Sequence, residues 1–149
     1  MSKGKKTHAA SSLAALDPLA AFEFVNDDLC GAVSTFIGVT RRDSVNSAHV
    51  VALEFEAHPP LLIAALNDII FQLRQRFADI HHVFVEHRLG RVPAGAANII
   101  VAVSSPHRAC AILAVQTLME QIKASLPIWK KEVFDNDSYV WKQNAENHW

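Results

Sequence analysis

Several things are missing from this chain, and each absence removes a class of function. There is no CxxC pair: the two cysteines, Cys30 and Cys110, stand 80 positions apart, so metal-knuckle and dithiol readings have no support. Two cysteines in 149 residues make no disulfide scaffold, and a reducing, cytoplasmic setting is the expectation. No apolar run reaches the about 20 residues that cross a bilayer, so no membrane association is expected. HExxH, GxSxG and a phosphate-cradling glycine-rich loop are all absent, which removes the usual zinc-protease, serine-hydrolase and nucleotide signatures. Charge of one sign is absent too. The net charge is -1, so no global field draws the chain to nucleic acid, and any anion site must be built locally.

What is present is a core. Half the residues are hydrophobic and 19% are charged, which suits one packed domain rather than a disordered chain. The opening segment, Met1 to Ser12, carries Lys3, Lys5 and Lys6 and no apolar stretch of its own. It reads as a disordered tail, with a single domain from residue 13 to 149. Asp17 before Pro18 is an N-cap with proline at the first helical position, predicting a helix from Pro18 to Asp28. Gly31 ends it and opens a β-branched strand, Ala32 to Thr40. A polar loop follows, from Arg41 to His49. In Val50 to Ala57, Leu53 and Phe55 alternate with Glu54 and Glu56, the pattern of a strand with one wet face.

Pro59 and Pro60 start a long helix to about Phe77, with Leu62, Leu66, Ile69, Ile70 and Leu73 at helical spacing. His82 to His87 is a strand with Val83 and Val85 on one face. Pro93 and Gly95 mark a turn, and Asn98 to Ser104 reads as a central buried strand. Pro106 opens a second long helix, which runs to about Leu126 and is stopped by Pro127. A basic segment, an acidic turn at Asp135 to Asp137 and an aromatic end complete the chain. The order α-β-β-α-β-β-α describes an α+β domain whose mixed or antiparallel sheet carries two long helices.

Three places could carry chemistry. At Ser104 to Arg108 (SSPHR) a buried strand meets a helix start, where free N–H groups and the helix dipole suit an anion. His107 and Arg108 in that first turn are unfavourable unless something negative sits between them, although both are equally readable as surface residues. Lys123, Lys130 and Lys131 lie among apolar and aromatic neighbours that can strip water from an amine and lower its pKa. Lysine at a helix C-terminus is also an ordinary cap. Arg41 and Arg42 close a strand where Gly38 permits close backbone approach; arginines there can grip phosphate bidentately, or simply be loop residues. The eight histidines show no metal spacing. His81 and His82, if both in a strand, face opposite sides, so no metal is expected. Cys110 reads as a small buried hydrophobe rather than a nucleophile.

Read together, GAVSTFIGVTR (Gly31 to Arg41), VVALEFEAH (Val50 to His58), HRLGRVPAG (His87 to Gly95), SSPHR and LPIWKKE (Leu126 to Glu132) resemble the large-subunit family of molybdopterin synthase over about residues 29 to 142. The resemblance implies an α/β hammerhead fold and a homodimer at the centre of a heterotetramer. It implies a ubiquitin-like small subunit at each outer end, whose C-terminal Gly-Gly thiocarboxylate threads into a pocket. It implies sulfur transfer to cyclic pyranopterin monophosphate, giving the dithiolene of molybdopterin. Lys123 and Lys130 fall on the family's pocket lysines and His107 and Arg108 on its HR pair. Arg41, Phe36 and Met119 fall on further pocket positions. Lys131 and Lys142 are added as substrate contacts, Lys142 standing where some members reach across the dimer with an arginine. Because sulfur arrives on the partner, no cysteine nucleophile and no resident cofactor is expected. The chain departs from the family at Thr40 before Arg41, at His58 where tyrosine is common, and at Ala96 where an acid is usual. Two rivals are a binding module for a ubiquitin-like partner without catalysis, and a nucleic-acid-binding domain using the basic residues near 41 and 130. The intact set of basic residues speaks against the first, and the net charge against the second.

Overall fold

The computed structural model describes residues 4–143. The elements are β1 (Thr7–Ser12), α1 (Pro18–Val25), β2 (Ala32–Val39), β3 (Ser44–Val45), β4 (Ala48–Glu56), α2 (Pro59–Arg76), β5 (Val83–Arg88), β6 (Gly90–Pro93), β7 (Ala97–Ser105), α3 (Arg108–Ser125), β8 (Trp129–Phe134) and β9 (Tyr139–Gln143). They form two sheets where the sequence suggested one, still in an α+β arrangement. One has the order β1-β5-β7-β2; the other runs β3-β4-β8-β9, with β6 also paired to β4.

The run Asn98 to Ser104 is the central strand its composition predicts. In β7, Ile99, Val101 and Val103 pack into the main core with α2 and α3, while Ile100 and Ala102 face a second cluster with Ala21 and Val25 of α1. Both faces of the strand are covered, so it shows no polar alternation. The α2 positions read from helical spacing are the five buried ones. In α1, Asp17 caps by accepting from the Leu19 N–H at 2.9 Å. The helix stops at Val25 rather than Asp28, because Asn26 turns to extended backbone and Asp27 is drawn off to histidines described below.

Two segments differ from expectation. Met1 to Ser12 is not a tail throughout: Thr7–Ser12 pairs in parallel with β5, in register Thr7↔Val83 to Ser12↔Arg88. Residues 1–3 lie outside the described residues. THAASS has no apolar alternation to announce a strand. It is held instead by its neighbours, since Arg74 donates to the Lys6 carbonyl and to Thr7 Oγ1, each at 2.9 Å. His8 also stacks on Phe84 with ring centroids 4.3 Å apart. The C-terminal stretch is an ordered hairpin, with β8 antiparallel to both β4 and β9. The acidic turn predicted at Asp135 to Asp137 is its loop, and Asp137 takes φ 65°.

A lysine-lined cavity at the seam of the two sheets

A cavity of about 570 Å³ opens where the end of β2, the β4–β8 ladder and the last turns of α3 converge. This volume is typical of a small-molecule site. Strand alternation decides what enters it. In β8, Lys130 and Glu132 face the cavity. Lys131 lies between them and turns the other way, against Glu54 at 2.8 Å and over the Tyr139 and Trp141 rings. Lys131 is therefore not a cavity residue, contrary to its assignment as a substrate contact. Lys142 is the cross-strand partner of Lys130, lines the cavity and pairs with Glu132 at 2.5 Å.

Lys123 reaches the same space from the last turn of α3. Burial, and then the ammonium of Lys130, bring its pKa down to about 7. Burial also lowers Lys130; Glu132 opposes that shift, while Lys142 and Arg41 reinforce it. Arg41 stands at the rim, its Nε 2.8 Å from Asp43. Phe36 lines the cavity beside it. Gly38 sits where close approach demands it: a Cβ there would lie 2.7 Å from Asn98 Oδ1 and from Ile99 Cγ2. Arg41, Phe36, Lys123, Lys130 and Lys142 thus share one site.

Three other expected residues do not join them within the chain. Met119 is 8% exposed and belongs to the main core. It packs in the core with Leu118 and Ile122 but, unlike Ile122, does not line the cavity. His107 is the N-cap of α3 and Arg108 its first residue, both exposed. They lie at the opposite end from Lys123, roughly 22 Å away at 1.5 Å per residue. Within one chain they stay apart from the cavity that Lys123 lines.

His87 was not singled out from the sequence, yet it lines the cavity. The signal was available: Val83 and Val85 share a face of β5, and the two-residue period puts His87 on it. Its Nδ1 lies 2.8 Å from the Arg88 carbonyl, and Phe55 meets the ring edge-on at 4.8 Å. Burial, opposed by the Arg88 hydrogen bond and reinforced by Lys123, brings its pKa down to about 4.

A second cluster lies elsewhere. His81 and His82 precede β5 rather than lying within it, so strand alternation does not separate them. Both rings approach Asp27 Oδ2, at 3.4 and 3.0 Å. The Lys6 N–H donates to His82 Nδ1 at 2.9 Å. Nε2 must then hold the ring proton and give it to Asp27, which leaves no Nε2 lone pair for a metal. Hydrogen bonds from the Leu29 N–H and from His82 hold Asp27 down at about 2. The cluster is a clasp that ties the start of β1 to the end of α1.

Comparison with known proteins places this geometry. A protein from Taeniopygia guttata, named molybdopterin synthase catalytic subunit, is 44% identical over 127 residues, covering 85% of this chain and 81% of that protein. One of the same name from Drosophila grimshawi is 42% identical over 83% of this chain, but the chain spans only 34% of that protein's length. A crystal structure of molybdopterin synthase from Staphylococcus aureus superposes with a TM-score of 0.85 at 28% identity, covering 91% of this chain and 96% of that one. The fold recurs in a complex of subunits 1 and 2 of molybdopterin-converting factor from Helicobacter pylori, with a TM-score of 0.71 at 20% identity, covering 93% of this chain and 90% of that one. Residues 12–125 match the family model described as MoaE protein, and the chain belongs to that family.

Proposed function

We propose that this chain is the catalytic large subunit of a molybdopterin synthase. It moves sulfur from the C-terminal thiocarboxylate of a ubiquitin-like small subunit onto cyclic pyranopterin monophosphate. The observation that carries this reading is the cavity itself: a lysine held near pKa 7 by burial and by a second lysine, with Arg41 and Lys142 beside them.

Each transfer forms a C–S bond on the pterin side chain and breaks a C–O bond there. The thiocarboxylate sulfur supplies the electron pair; the departing oxygen leaves as water in one round and, in the other, stays on the phosphate as its ring opens. A second water cleaves the acyl C–S bond, which releases the small subunit as a carboxylate and leaves sulfur on the substrate as a thiolate. Lys123, poised near neutrality, gives a proton to the departing oxygen and takes one from the attacking water. Lys130 and Lys142 stabilise the anionic tetrahedral and thiolate species. Arg41 holds the phosphate bidentately. Two such rounds give the dithiolene.

His107 and Arg108 enter this scheme through a second copy of the chain. A two-fold dimer can bring the start of one α3 to the other protomer's cavity. The exposed apolar side chains of β2 beside the cavity, Phe36, Ile37 and Val39, suit a partner surface or the small subunit's tail. No described helix is long and apolar enough to cross a membrane, and Cys30 and Cys110 are free thiols. We place the reaction in the cytoplasm; recovery of a tagged chain in a membrane fraction would argue against that.

The test is reconstitution with a thiocarboxylated small subunit and cyclic pyranopterin monophosphate, with molybdopterin followed as its oxidised fluorescent product. Product that disappears in Lys123→Ala, with small-subunit binding intact, is the expected result. A stable complex without product would return the chain to a non-catalytic binding role.

A further inference from the structure

The polar groups around the cavity are lopsided. Arg41, Lys130 and Lys142 are donors, and Lys123 is one whenever its amine is protonated. The two carboxylates are already engaged, Asp43 with Arg41 and Glu132 with Lys142. The Asn98 amide donates towards Thr40 Oγ1 at 3.4 Å, and its Oδ1 lies over Gly38. Such a lining suits a phosphate and offers little to a ring rich in N–H groups.

His87 supplies what is missing. The Arg88 carbonyl beside Nδ1 can only accept, so Nδ1 carries the ring proton and Nε2 carries the lone pair. Phe55 and the Nδ1 hydrogen bond leave the ring little freedom to turn. With a pKa near 4 the imidazole stays neutral at working pH. Among the described residues, Nε2 makes no hydrogen bond, yet it is not among the buried atoms that lack a partner. The ring lines the cavity, and with Nδ1 turned to the Arg88 carbonyl, Nε2 is the polar edge it has left to offer there. A fixed acceptor left unsatisfied by the described residues costs stability unless another group, a ligand or water completes it.

We propose that His87 reads the heterocycle: its Nε2 accepts a hydrogen bond from a ring N–H of the substrate, selecting a pterin-like ring over a bare phosphate ester. The proposal rests on the cavity being the substrate site, as in the reading above.

The experiment uses the complete complex with thiocarboxylated small subunit and compares His87→Gln, His87→Asn and His87→Phe. A glutamine amide places its oxygen near the Nε2 position. An asparagine amide can keep the bond to the Arg88 carbonyl but loses the Nε2 acceptor. His87→Gln should stay within about threefold of wild-type KM, while His87→Asn and His87→Phe should raise KM about tenfold or more. Inhibition by inorganic phosphate should stay unchanged in all three. In the wild-type complex labelled with ¹⁵N-histidine, the Nε2 resonance of His87 should shift on adding substrate; this readout depends on no variant folding. Wild-type kinetics in His87→Asn would overturn the proposal, as would an equal loss of phosphate inhibition or an unmoved resonance. If the wild-type complex itself makes no product, the reading of the site fails instead, and the variants are not needed to learn it.

Discussion

At pH 7 the amine of Lys123 is divided between its two protonation states, because burial and Lys130 hold it near that value. In the unfolded chain the same amine titrates near 10.4. Below pH 7 both states carry the proton, so the fold bears the full cost of a half-buried ammonium. Between about 7 and 10.4 the unfolded chain holds more protons, and stability rises with pH. Replacing Lys123 with methionine should therefore abolish turnover and yet stabilise the fold. The gain should be about 1 kcal/mol at pH 6, after allowance for solvent screening, and should vanish by pH 10.5; thermal melts at the two pH values measure it. Equal melting shifts at both would show that the amine is not strained. Lys130→Gln removes the neighbouring charge, so the pH–rate limb assigned to Lys123 should move to higher pH. A limb that stays in place would separate the two lysines. At this scale the sequence was a fair guide to the cations: lysines among apolar residues marked Lys123 and Lys130. It was a poor guide to Lys131, whose direction depends on strand alternation, and to Met119, whose depth depends on which face of α3 meets the core.

Among the elements, β1 depends most on others. None of its residues is fully buried, and its ladder to β5 is reinforced by Arg74, which donates to His81 O, Lys6 O and Thr7 Oγ1. Arg74→Ala should cost about 2 kcal/mol and raise hydrogen exchange in residues 7–12, while activity per folded molecule is retained. An unchanged exchange rate would show that β1 holds without this clamp. Gly38→Ala acts on β2: its Cβ would press on Asn98 and Ile99, for about 1–3 kcal/mol of overpacking, seen as a lowered denaturant midpoint. The long helices were legible because proline starts and a 3.6-residue period act locally. Neither β1 nor the β8–β9 hairpin was, because their strand character comes from partners far along the chain, Val83–Arg88 for one and Ala48–Glu56 for the other.

For the whole molecule, the length of α3 separates His107 and Arg108 from the lysine-lined cavity. If His107 and Arg108 serve the other protomer's cavity, mixing inactive Lys123→Ala with inactive Arg108→Ala should restore activity. Half of randomly formed dimers are mixed, and each has one intact site of two, so about a quarter of wild-type activity is expected. No recovery from subunits shown to have exchanged would place both residues on one protomer. This arrangement was not legible in the sequence, where SSPHR and LPIWKKE read as parts of one pocket, because the rigid helix between them shows only in three dimensions. The hairpin carries a consequence of the same kind. Lys130 faces the cavity and Lys131 faces away only because each stands where it does on a two-residue alternation. The loop at Asp135 to Asp137, five residues from Lys130 on one side and five from Lys142 on the other, helps hold β8 in register with β9. Adding one residue to β8 before Lys130 would invert its parity, turning the lysine that faces the cavity toward Glu54 instead.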